Sequence, residues 1–273
     1  MRTIDTFIQK IAQKPIFHKE FFAKMHTFKE LEYIDVEDLQ TLRLLGLPII
    51  KYNNYAFTLE TALLPIQKAR FCIVDIETNG SKPSENQIIE IGAVMVENGK
   101  EIGQFSSLVK TDILPDSITQ LTGITLEDLR DAPSLNSVLE AFRLFIKDAV
   151  FVAHNVNFDY YFISYALEKA GFGPLLNRKL CTIELAKKCI EAPKYGLSAL
   201  SEFLEIPFEN HHRALCDAQA AKGVFFKSLE NIPSEICNVE ALIAFTKPAQ
   251  MKKKKKEKPQ ESLPLFKVKD TSP

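Results

Sequence analysis

Phe71-Cys72-Ile73-Val74-Asp75-Ile76-Glu77-Thr78 decides how this chain is read. Its β-branched and aromatic residues predict a strand, and the apolar flank Phe71 to Val74 predicts a central one. Side chains of a strand alternate between faces, so Asp75 and Glu77 share one face and Val74 and Ile76 the other. Surface strands often carry alternating acids, so the pair alone says little. At the end of a buried strand, however, two acids are costly unless they bind cations.

Further strands are predicted over Ile88 to Val96 and Glu101 to Val109, with turns at Asn79-Gly80 and Asn98-Gly99. The three would form an antiparallel meander. Helical periodicity follows over 134–147, a short strand over 149–153, and a helix over 158–170 ended by Gly171. A strand at Lys179 to Cys181 precedes helices near 183–190, 197–204, 214–229 and 233–245. Strands first and then mixed elements predict an α/β fold, a mixed sheet flanked by helices. Residues 1–66 read differently: helical patterns at Thr3 to Gln13 and His18 to Phe28, and a third helix opened by Asp35-Val36-Glu37-Asp38 and stopped by Gly46 and Pro48. Pro48 to Leu59 then alternates around Asn53-Asn54, as a hairpin does. That is either a small helical or winged-helix-like domain or a helical cap on the main domain. It lacks a basic stripe, so nothing assigns it to DNA. The expected divisions are 1–66, 67–246 and 247–273.

The 273 residues suffice for one sizeable domain with appendages, and twenty Phe with no Trp predict a Phe-filled core. The net charge of −1 hides an asymmetry: residues 247–273 hold nine Lys and three acids, a net of +6, which leaves −7 on the rest. An acidic body with a basic tail is not the footprint of a protein held on DNA by its whole surface. Five Cys with no C-x-x-C pair read as reduced thiols in a cytoplasmic compartment. No run approaches the ~20 apolar residues of a membrane span, so no membrane partner is expected.

Two later stretches complete the first. In His154-Asn155-Val156-Asn157-Phe158-Asp159, the acid falls at a helix start just after a strand, where ligands gather in open α/β sheets. Alone it would read as an acid complementing a helix dipole. In His212-Arg213-Ala214-Leu215-Cys216-Asp217, His212 and Asp217 would lie roughly 140° apart on one helix. They converge only if His212 sits in the loop before the helix, where a histidine suits a general base. Four carboxylates and a histidine are what two-metal cleavage of a phosphodiester needs: oxygen ligands for hard cations and a base for water.

D-I-E-T-N-G, H-N-x-x-F-D and H-x-A-x-x-D, in this order, resemble the three motifs of the DEDDh 3′–5′ exonucleases, a family that includes the proofreading ε subunit of bacterial DNA polymerase III. The resemblance covers about Arg70 to Leu229 and includes Leu121-Thr122-Gly123-Ile124-Thr125 and Tyr195-Gly196-Leu197-Ser198-Ala199-Leu200. Asn79 stands where the family often has Thr. The resemblance implies an RNase H-like fold and 3′–5′ removal of nucleotides from DNA ends in proofreading or repair. It carries over Asp75, Glu77, Asp159 and Asp217 as ligands for two Mg²⁺ or Mn²⁺ ions and His212 as the base. Ile76, Thr78, Asn79, Asn155 and Phe158 would hold the terminal nucleotide. Rival readings are a 3′–5′ exoribonuclease and a non-catalytic polymerase or clamp accessory.

After Lys247 the lysine run 252–256 predicts disorder, because like charges repel and build no core. Gln260-Glu261-Ser262-Leu263-Pro264-Leu265-Phe266 resembles the bacterial sliding-clamp-binding motif. In that reading Leu263, Leu265 and Phe266 fill an apolar groove and Gln260 supplies polar contacts. Whether the polymerase III catalytic subunit is also a partner stays open.

Overall fold

The computed structural model of the protein describes residues 3–207 and 211–247. The chain begins with α1 (Thr3–Gln13), β1 (Ile16–Phe17), α2 (His18–Met25), α3 (Leu39–Leu44), β2 (Ile49–Lys51), β3 (Ala56–Leu59) and α4 (Glu60–Leu63). Then come β4 (Phe71–Thr78), β5 (Ile88–Glu97), β6 (Lys100–Leu108), α5 (Asp116–Thr122), α6 (Leu126–Arg130) and α7 (Leu135–Ile146). The remainder is β7 (Val150–Ala153), α8 (Val156–Lys169), β8 (Lys179–Cys181), α9 (Thr182–Cys189), α10 (Leu197–Phe203), α11 (Ala214–Leu229) and α12 (Val239–Thr246).

The main sheet has the order β6-β5-β4-β7-β8. β4, β5 and β6 pair antiparallel, as the meander predicts, and β7 and β8 run parallel to β4. Asn98 (φ 52°) and Gly99 (φ 71°) supply the two left-handed residues of a tight hairpin between β5 and β6. β4 is central. Its residues Cys72, Val74 and Ile76 face a core built with α7 and α8, including Phe142, Phe151 and Ile163. Phe71 and Ile73 face the opposite core, with Ala218, Ala221 and Phe225 of α11 and Leu242 of α12. Helices on both faces of a mixed five-stranded sheet make this an RNase H-like α/β fold.

The N-terminal elements follow the order helix, strand, helix, helix, strand, strand, with a three-stranded sheet ordered β1-β3-β2. That is a winged-helix arrangement. β1 is too short to leave a periodic signal, and its two residues gain strand character only by pairing with Phe57 and Ala56. The core of this unit is aromatic, with ring contacts running from Phe28 to Phe7, Phe7 to Phe21 and Phe21 to Phe57. The unit is also a cap. Buried Arg143 of α7 donates to the carbonyls of Leu45, Phe172, Gly173 and Pro174 at 3.0–3.3 Å. Arg178 pairs with Glu240 at 2.7 Å, and Thr61 and Gln9 join them.

Candidate active site

Asp75 and Glu77 extend the Phe71–Ile73 row of β4 and so meet α11, the helix packed on that face. α11 can come close because it presents Ala214, Ala218 and Ala221 inward and because β5 has glycine at position 92, opposite Asp75. A Cβ there would lie 2.1 Å from the amide nitrogen of Leu215. Asp217, in the first turn of α11, is thereby brought to the end of β4. His212 lies in the turn before α11, not on it, with φ 62°.

Asp159 arrives from the other side. It sits in the first turn of α8, directly after β7, and that helix starts at Asn155 in the left-handed region (φ 72°). Asp159 is buried, and its carboxylate accepts from the backbone amides of Asp159 and Ile76, which ties α8 to β4. Ligand atoms of Glu77, His212 and Asp217 lie within 4.8 Å of one another.

The electrostatics of this cluster are those of buried acids packed against one another. Burial, then Asp159, Asp217, Glu77 and Glu90, holds the Asp75 carboxyl well above the usual range. Burial and the same neighbours push Glu77 to about 8, with Arg213 pulling against them. Asp159 is pushed by burial to about 7, despite its backbone hydrogen bonds. Burial raises Asp217 too, with both His212 and His211 opposing. Asp217 Oδ1 is buried and has no hydrogen-bond partner among the described residues. An orphaned carboxylate oxygen beside three more acids fits a divalent cation, which would supply the missing charge and bonds.

The other residues expected at the site are distributed as follows. Ile76 is a core side chain, and what it offers the site is its amide. Thr78 hydrogen-bonds to the carbonyl of Gly80 at 2.8 Å. The Asn79 amide bridges Ile113 and Gln87 and so closes the loop after β4. Asn155 is exposed, and Phe158 is half-buried against Phe162. Gln260, Leu263, Leu265 and Phe266 lie outside the described residues.

Two further residues shape the site. His154 bridges Thr182 Oγ1 and the carbonyl of Tyr195, and burial pushes it down to about 4, so it is a neutral brace. Glu90 is buried on β5 opposite Glu77 and binds Arg213 and the amide of Ala214. Its signal in the sequence is a single acid inside Ile88-Ile89-Glu90-Ile91, a run otherwise apolar.

A family model described as "Exonuclease" matches residues 72–225, over half of the chain. The PolC-type DNA polymerase III of Caldanaerobacter subterraneus subsp. tengcongensis is 41% identical over 189 residues, 68% of this chain and 13% of that protein. Its counterpart from Staphylococcus aureus is 37% identical over 169 residues, 61% and 12% respectively. The chain thus spans about an eighth of the length of these relatives. Among solved structures, Exonuclease X in complex with 5′-overhanging duplex DNA superposes with a TM-score of 0.53 at 24% identity, over 65% of this chain and 99% of that one. E. coli Exonuclease I in complex with a dT13 oligonucleotide does so with a TM-score of 0.53 at 18% identity, over 59% and 41%.

Proposed function

Starting from the fact that the chain belongs to this exonuclease family, we propose that it is a divalent-metal-dependent 3′–5′ exonuclease acting on DNA ends. The observation that carries the proposal is the grouping of Glu77, His212 and Asp217, whose ligand atoms lie within 4.8 Å of one another at an unsatisfied carboxylate oxygen, with Asp75 and Asp159 as charged neighbours. In this reading the four acids would hold two Mg²⁺ or Mn²⁺ ions. Bound there, the ions would acidify the attacking water and neutralise charge at the scissile phosphate and the leaving 3′ oxygen. A ring nitrogen of His212 accepts the proton of that water. The backbone amides of Ile76 and Asp159 hold the Asp159 carboxylate in place, while Thr78, Asn79, Asn155 and Phe158 would border the space for the terminal nucleotide. Stacking on Phe158 would tolerate any base.

DNA as substrate is supported by the PolC-type relatives, and a proofreading or repair role like that of an ε subunit is part of the same proposal. So are the division into residues 1–66, 67–246 and 247–273, a cytoplasmic location, and recruitment by the sliding clamp through Gln260, Leu263, Leu265 and Phe266. Among the described residues, no helix is long and apolar enough to cross a membrane.

The test is a 5′-labelled DNA primer with an unpaired 3′ end, incubated with Mg²⁺, with EDTA, and with the Asp75→Ala protein, beside an RNA of the same sequence. Stepwise loss from the 3′ end of DNA in the first reaction only is the expected result. Shortening that survives EDTA, or of RNA alone, overturns it.

A further inference from the structure

The start of α11 carries both His212 and Asp217, yet its own N-cap residue, Arg213, makes no side-chain cap. The cap comes from another element. Glu90, 2% exposed, sits near the start of the buried strand β5. One oxygen accepts from the Ala214 amide at 3.0 Å, and the other from Arg213 Nη2 at 3.0 Å, with Arg213 Nε at 3.3 Å from both. A carboxylate at a helix N-terminus satisfies an orphan amide and complements the dipole. Here the same carboxylate also neutralises the adjacent guanidinium. Both oxygens of Glu90 are thus committed to N–H donors, which sets it apart from Asp217, whose Oδ1 has none among the described residues.

His212 directly precedes this anchor. Its left-handed backbone is strained for a non-glycine residue and persists only when the surroundings over-determine it. On its C-terminal side, what fixes it is the Glu90–Arg213 clamp. We propose that Glu90 and Arg213 are positioning residues that hold the His212 turn over the acidic cluster, so that the imidazole meets the attacking water. The inference rests on the nuclease reading above, with His212 as base.

Glu90→Gln keeps the shape and removes the charge, and it turns one acceptor toward the donors as an N–H. Since a general base contributes ~10²–10⁴-fold, a misaimed one is expected to lower kcat by ~10–100-fold, with KM changed less than ~2-fold. In a His212→Ala background the same change should alter kcat by less than ~2-fold, because the group it positions is gone. A readout independent of catalysis is trypsin cleavage after Arg213 in metal-free protein. It should accelerate by ~10-fold in Glu90→Gln while other cleavage sites keep their rates. If Glu90→Gln does not fold, Arg213→Lys, which keeps the charge and loses the fork on the half-exposed partner, carries the same cycle. If His212→Ala itself retains wild-type turnover, the assignment of the base fails. If His212→Ala is impaired and Glu90→Gln lowers it again by the full factor, or if cleavage after Arg213 does not change, the positioning proposal fails and the nuclease reading stands.

Discussion

Replacing Gly92 by alanine adds one carbon at the closest approach of helix and sheet. The new Cβ would lie 2.1 Å from the nitrogen of Leu215, 2.2 Å from the carbonyl carbon of Ala214 and 2.5 Å from its oxygen. All three are backbone atoms, so no side chain can swing away. β5 is hydrogen-bonded to β4 on one side and β6 on the other, which leaves α11 as the element that must retreat. Restoring ordinary contact at 3.4 Å requires a shift of about 1.3 Å at the first turn of α11. Gly92 pairs with Asp75 across the sheet, so the shift opens the gap between Asp217 and the β4 acids directly. A misplacement of ~1 Å in a preorganised site costs on the order of 10²-fold in rate. The overpacking itself costs about 1–3 kcal/mol. The assay is the initial rate of primer shortening, with thermal melting in parallel. Gly103→Ala on β6 is the control, because its Cβ would meet only Phe145, at 3.6 Å. Gly92→Ala with turnover within twofold of wild type would refute the claim that this close approach sets the site geometry.

Other expectations follow from the same structure. With no metal present, burial and repulsion raise Asp75, Asp159, Glu77 and Asp217 above their unfolded values, Asp159 to about 7 and Glu77 to about 8. The folded protein then binds more protons than the unfolded chain, so this contribution to stability is present below the ordinary carboxylate range and lost as pH rises through about 7 to 8. The Tm in EDTA should therefore fall between pH 5 and 8, and Mg²⁺ should raise it most at pH 8; a flat profile with no Mg²⁺ effect counts against the cation site. Asp75→Asn should abolish both turnover and Mn²⁺ binding measured by calorimetry. His212→Ala should instead lower kcat by ~10²–10⁴-fold and leave Mn²⁺ affinity within a few-fold, and equal loss of both would make His212 a ligand rather than a base. Glu240→Ala strands Arg178, which is nearly buried, and should cost ~3–5 kcal/mol in denaturant unfolding. Arg178→Met with Glu240→Leu should recover much of that, and no recovery would mean that the pair is not what couples α12 to the N-terminal unit.

How much of this was readable beforehand depended on whether the signal is local. β4 announces itself through alternation, α1 and α11 through periodicity, and the three acidic stretches through residue type, so the sheet, its flanking helices and the candidate acids follow from the chain, and the structure groups Glu77 and Asp217 of them with His212. β1 could not be read, because two residues carry no period and their pairing partner lies forty residues away. α5 and α6 leave no periodic signal, because short helices between loops are set by caps, such as the Thr125–Asp128 capping box, more than by an apolar face. α12 starts six residues later than the apolar pattern suggests, at the Asn238 cap. The parts of the site that escaped reading have a common cause: each acts across the fold. His154 opens the motif that ends at Asp159, and both its ring nitrogens brace Thr182 and Tyr195. Glu90 looks like a strand acid, yet it caps a helix that begins more than a hundred residues later. A motif lists the groups that can meet cation and water, whereas the groups that aim them are chosen by tertiary neighbours. In this chain the aiming is concentrated where α11 touches β5, and the geometry of Asp217 and His212 is accordingly set by a glycine and a glutamate of a different element.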